Sequence, residues 1–175
     1  MGTFFMSFHC ACCGQIHEGL PDIGSSAPWA MYTIPEEERA TRVWLKQDTC
    51  VIDDQEFFIR GVLEIPVHEQ EQTFGFGVWV SQSQEHFLSY QEYHNTDAIG
   101  PYFGWLCTEI SMFSPTLSLK TMAHFQGNGQ RPTIELEPTD HPLAVAQRDG
   151  ISLERAWEIV HEYVKPSNLG VESSE

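Results

Sequence analysis

Cys10-Ala11-Cys12-Cys13-Gly14 opens the chain with a C-x-x-C-G spacing between Cys10 and Cys13. Two thiolates three positions apart can converge on one soft cation, and a glycine directly after the second permits the turn in which backbone amides face the sulfurs. Zinc is the expected cation, and it needs four ligands. His17 lies four positions beyond Cys13, and Cys50, at the mouth of an expected strand, is the distant donor that would tie the N-terminal segment to a sheet. The expected metal set is therefore Cys10, Cys13, His17 and Cys50, and at a structural zinc site binding free energy is folding free energy. Two other readings stand beside it. A redox C-x-x-C requires a helix N-terminus to lower its first thiol, and Gly14, Gly19 and Pro21 argue against a helix here. Free thiols need no partner, and Cys12 and Cys107 are read that way.

A second group, Glu135, Glu137, Asp140 and His141, lies within seven residues. On a strand, Glu135 and Glu137 share one face opposite Ile134 and Leu136, with Asp140 and His141 at the turn into a helix. That arrangement can hold a hard cation or pair an acid with a base. Arg131 offers a guanidinium fork to Glu135 or to a ligand carboxylate. Solvated acids on a strand and a capped helix start explain the same residues without chemistry. Lys120 is read as an exposed strand lysine. No phosphate loop, dinucleotide fingerprint, H-E-x-x-H or G-x-S-x-G is present.

The elements that must carry these residues follow from periodicity. Thr33-Ile34-Pro35-Glu36 has the form of a capping box, with Thr33 as N-cap of a short helix to about Thr41. Val43 to Leu45, Cys50 to Ile52 and Phe57 to Leu63 are β-rich runs, the last two broken by Asp53-Asp54. Phe74, Phe76, Val78 and Val80 alternate with Gly75, Gly77, Trp79 and Ser81, which predicts a strand with a nearly bare second face. That face suits a twist in a core strand or the close approach of another backbone or ligand. Leu117 to Phe125 repeats the alternation, Gly127 to Gly129 turns, and Ile134 and Leu136 return as a paired strand. A short helix from Pro142 to Arg148 is entered through Asp140 or His141 and ends near Gly150. A last helix places Leu153, Ala156, Trp157, Val160 and Val164 on one stripe, with Ser152 as N-cap, Ile151 as staple and Pro166 as stop. Pro101 to Leu106 is dense in aromatics, which either fill the core or, with Trp29 and Trp79, line a pocket or partner surface.

These elements predict an α+β fold: one domain over residues 1–167 with a mainly antiparallel sheet, a C-terminal amphipathic helix and an N-terminal zinc-knuckle-like loop, followed by a fraying tail at 168–175. At 175 residues the chain can bury one sizeable core. Its net charge of -16 is spread along the whole length, and no two Lys or Arg are adjacent. Such a surface repels phosphates, so nucleic acid and anionic lipid are not expected partners, and a basic protein is. No export signal or membrane span is evident, and five cysteines are an odd number for a disulfide framework, so a cytoplasmic location is expected.

The segments CACCGQIHEGLP at 10–21, DTCVID at 48–53, FFIRG at 57–61, FGVWVS at 76–81, PYFGWL at 101–106 and GQRPTIELEPTDHPLAVAQRDGIS at 129–152 resemble the DUF2199 family of uncharacterised bacterial proteins. The resemblance implies a single domain. It places Cys10, Cys13, Gly14 and His17 on the family's opening motif and Cys50 on the cysteine of its second, with Cys12 additional to the pattern. It implies no activity. The functional expectation is a binding or regulatory protein with structural zinc. The alternative is a small hydrolase that uses either the metal or Asp140 or His141 with Glu135, Glu137 and Arg131. Substrate, partner identity and oligomeric state are not encoded in these motifs.

Overall fold

A computed structural model describes residues 20 and 23–163 in full and the backbone of 7–9 and 16–18. The expected knuckle at 10–14 and the tail at 168–175 lie outside the described residues. β1 (Ser7–His9) and β2 (Ile16–Glu18) form a separate antiparallel pair. β3 (Ile23–Gly24), helices α1 (Trp29–Tyr32) and α2 (Glu36–Arg42), β4 (Val43–Leu45) and β5 (Thr49–Ile52) precede two long strands, β6 (Glu56–Ile65) and β7 (Phe74–Gln82). Helix α3 (Gln84–Tyr93), β8 (Tyr102–Trp105), a single 3-10 turn (Ser111–Phe113), β9 (Lys120–His124) and β10 (Thr133–Leu136) follow, and α4 (Pro142–Asp149) and α5 (Leu153–Tyr163) close the order.

Alternation in β6 and β7 sends Ile59, Leu63, Ile65, Phe74, Phe76, Val78 and Val80 to one face, where all are buried. β7 pairs β6, β6 pairs β10, β10 pairs β9 and β9 pairs β8. The chain beyond β8 then returns to β7 through a bridge between Val80 and Leu106, and the Cys107 N–H donates to the Trp79 carbonyl at 2.8 Å. Five strands thereby close into a small barrel. Consecutive members of this ring reverse direction, so an odd number must close with two strands running the same way. The β10–β6 pair is accordingly parallel, as is β3 on the edge of β7. The sheet is therefore mixed and not purely antiparallel, with two short parallel pairs among the mainly antiparallel ones expected; alternation encodes which face is buried and is silent on strand direction.

Ala123, Ile134 and Leu136 complete the inner wall, and Phe87 and Tyr90 of α3, Leu143 and Ala146 of α4, and Ala156, Ile159 and Val160 of α5 join the same core. Each fully buried Val, Leu, Ile or Phe contributes about 1.5–3 kcal/mol, so the inner cluster is the main driving force. The outer wall of β6 and β7 is covered separately. Phe58 and Trp79 pack there against Ile34, Cys50 and Ile52, and the Trp79 indole N–H donates to the Ser25 carbonyl at 3.0 Å.

Local rules explain the helix ends, with one correction. Thr33 terminates α1, its hydroxyl donating to the Ala30 carbonyl at 2.7 Å, and α2 begins behind Pro35 without a side-chain cap. The expected capping box therefore does not form, because a helical turn immediately upstream takes the threonine. α4 starts as expected at His141 and Pro142 and ends at Gly150, whose φ of 80° suits a residue without a β-carbon. α5 has the expected cap, with Ser152 Oγ accepting from the Arg155 N–H at 3.1 Å.

Candidate functional site

The expected zinc ligands fall in two groups. Cys10 and Cys13 lie outside the described residues, as does the His17 side chain. The backbone of β1 and β2 pairs Phe8 with His17 and His9 with Ile16, so the two strands flank residues 10–15 in register. Cys50 is fully buried in β5 among Ile34, Ile52, Phe58 and Trp79, and burial pushes its thiol up to about 11. Cys107 packs against the same cluster, its thiol pushed up to about 12 by burial and then by Glu56. Both are free thiols. Among the described residues, no group of three or more His, Cys, Asp or Glu side chains is arranged to hold a metal ion.

The acidic group near the C-terminus is divided among several partners. His141 serves as the N-cap of α4: Nδ1 accepts from the Leu143 N–H at 3.1 Å, and Nε2 lies 2.6 Å from the Pro115 carbonyl, to which it donates. Both ring nitrogens are thus engaged in structure. Asp140 is exposed in the preceding turn. Glu135 points outward from β10, with Oε2 3.5 Å from Nε2 of His124 in β9. Arg131 does not reach Glu135; its Nε donates to Asp48 Oδ1 at 2.6 Å. The sequence group is therefore contiguous in the chain without converging on one point. His141→Ala is expected to cost about 1 kcal/mol, the usual worth of an N-cap, and His141→Asn to recover part of it, both read as a shift in thermal midpoint.

Glu135 and Glu137 do share a surface. Outward-facing residues of β8, β9 and β10 align in rows: Phe103 beside Met122 and Glu135, and Trp105 beside Lys120, whose carbonyl accepts from the Glu137 N–H at 2.9 Å. Phe103 and Trp105 are 43% and 42% exposed, and their rings meet edge to face with centroids 5.2 Å apart. A groove of about 220 Å³ runs between Phe103, Lys120, Met122, Glu135 and Glu137. It shares Glu135, Leu136 and Pro138 with a second groove of about 410 Å³ that continues to Glu64, His124 and Arg148. Trp79, by contrast, is wholly buried, and Trp29, exposed on α1, does not line this groove. The aromatic segment thus divides: Leu106 fills the core, while Phe103 and Trp105 form a surface. Alternation around Gly104 could have signalled this, since Phe103 and Trp105 must face the same way.

No helix among the described residues is long and apolar enough to cross a membrane. Searches of curated proteins and of solved structures find no match. A family model described as an uncharacterized protein conserved in bacteria matches residues 9–151, taking in the C-x-x-C-G motif, every barrel strand and α4. That is well over half the sequence, and the chain belongs to the DUF2199 family.

Proposed function

We propose that this chain is a cytoplasmic binding or regulatory protein that docks a basic segment of another protein on the outer face of β8, β9 and β10, with a structural zinc at Cys10, Cys13, His17 and Cys50. The observation that carries the docking is the exposed Phe103–Trp105 pair bordered by Glu135 and Glu137. Large rings supply contact area at low entropy cost, and acids on the rim complement cationic side chains. The net charge of -16 steers such a partner at range. Asp140 and His141 support no hydrolase reading, because the imidazole is committed to the α4 cap.

The test compares capture from native lysate at moderate salt by wild type and by the double variant Phe103→Ala, Trp105→Ala. A basic protein is expected on the wild type and at least about tenfold less of it on the variant, the equivalent of losing about 1.4 kcal/mol of binding. Capture that the variant leaves unchanged would refute the docking face. A wild-type dimer that the variant dissociates would reassign the face to a second copy of the chain.

A further inference from the structure

The outer wall of the barrel carries one row of side chains that crosses four strands. Phe103 of β8 lies beside Met122 of β9, and Met122 beside Glu135 of β10; the parallel pairing of Thr133 with Val62 then sets Glu135 level with Glu64 of β6, two residues on in each strand. Each is flanked by a buried position, Gly104, Ala123, Ile134 and Leu63 in turn, and so faces outward. Followed across the sheet, the row is aromatic, apolar, acidic, acidic.

Between its two acids the sheet comes apart. Among the described residues, β10 and β6 pair at Thr133 and Val62 alone. Further along β10 the Gln147 side chain of α4 takes the place of a strand: its Nε2 donates to the Ile134 carbonyl and its Oε1 accepts from the Leu136 N–H, both at 2.8 Å. The result is a cleft of about 410 Å³ lined by Glu64 from one strand, Glu135 from the other, and Gln147. Its charge is unbalanced toward acid. Arg148, also at the cleft, lies 3.4 Å from Asp149 on its own helix. Glu64 makes no ion pair among the described residues. Glu135 Oε2 stands 3.5 Å from His124 Nε2, and the two form no hydrogen bond. Two carboxylates brought together by topology from opposite ends of the sequence thus remain open to a donor.

We propose that the partner segment docked on Phe103 and Trp105 continues along this row and places an arginine side chain between Glu64 and Glu135, a placement that rests on the docking face proposed above and specifies what it selects. A guanidinium carries N–H donors on both edges of one plane, so a single group can serve a carboxylate on either side. From Phe103 to the midpoint of the acids is about two and a half strand spacings, or about 12 Å, and an extended chain rises about 3.3 Å per residue with alternate side chains on one face, so the apolar residue and the arginine are about four positions apart in the partner. The cleft therefore reads a spacing as well as a charge.

The experiment titrates the 15N-labelled full chain with the capped peptide acetyl-Leu-Ser-Ser-Ser-Arg-amide, in this order and reversed, each beside a counterpart in which citrulline, the uncharged isostere, replaces arginine. The Trp105 indole N–H reports on the aromatic end of the row and the Gln147 side-chain amide on the cleft. One order of the arginine peptide is expected to shift both resonances saturably. Citrulline should weaken binding about tenfold, and Glu64→Gln should weaken the arginine peptide about tenfold while leaving the citrulline peptide unchanged. Moving the arginine two positions closer to the leucine should cost as much as citrulline does. A Trp105 response equal for arginine and citrulline, or unchanged in Glu64→Gln, would remove the cleft from recognition and leave the docking face standing. No Trp105 response to any peptide up to about 10 mM, well beyond the millimolar range of weak contacts, would overturn the docking face and the arginine site with it.

Discussion

Gly104→Val should lower stability by about 3 kcal/mol, near the upper end of the range for forced overpacking, and for a domain of this size that corresponds to a midpoint about 6–12 °C lower. The cause lies at the seam of the barrel. β8 crosses β7 so closely that a β-carbon on Gly104 would overlap the carbonyl oxygen of Ser81. Backbone cannot swing aside as the end of a long side chain can, so the strands must part. The interactions lost would be those that close the ring: Gln82 Nε2 donating to the Phe103 carbonyl at 3.2 Å, Trp105 N–H to Ser81 Oγ at 3.0 Å and Trp79 N–H to Thr108 Oγ1 at 2.9 Å. Gly104→Ala should cost less than valine and still be clearly destabilising. Urea or thermal unfolding monitored by far-UV circular dichroism checks the order wild type, Ala, Val. An alanine variant as stable as wild type would mean that β8 does not press on β7.

The seam also marks the limit of what the sequence discloses. Phe74 to Val80 and Ile134 with Leu136 are legible as strands because their alternation matches a sheet with one buried face. β8 is concealed by a glycine at its centre and by aromatic side chains on the side away from the core, so its buried positions look weaker than its exposed ones. α3 is equally hard to read: only Phe87 and Tyr90 among its ten residues are buried, too few to make an apolar stripe, although Ser83 caps it by accepting from the His86 N–H at 3.1 Å. The glycine face of β7 is interpretable in advance as a place of close approach, and Gly24 and the Arg60 guanidinium are what approach it. Which arginine meets which acid is another matter. Arg131 pairs with Asp48 in place of nearby Glu135 because β10 lies beside β6, and strand neighbours are set by the whole topology and not by any local pattern.

Cys13→Ala should release one zinc ion and lose several kcal/mol of stability, since at structural zinc sites the metal free energy is folding free energy. Elemental analysis of protein never exposed to nickel resin should give one equivalent in the wild type and none in the variant. Cys50 makes the sharper case. It sits at the join between the β4–β5 hairpin and the barrel wall, under Ile34 and against Phe58 and Trp79. Ligation there would bind the N-terminal segment, the hairpin and the Trp79 cluster into one cooperative unit. Chelation should then alter the emission of Trp79 as well as loosening the N-terminus, and Cys50→Ala should lose the metal. If Cys50 is only a packed thiol, its truncation should cost on the order of 1 kcal/mol and leave zinc in place. Retained zinc in Cys50→Ala would remove that residue from the ligand set while keeping Cys10, Cys13 and His17. A wild-type protein that is metal-free and fully stable would exclude the ion altogether, and the C-x-x-C-G segment would then need another explanation.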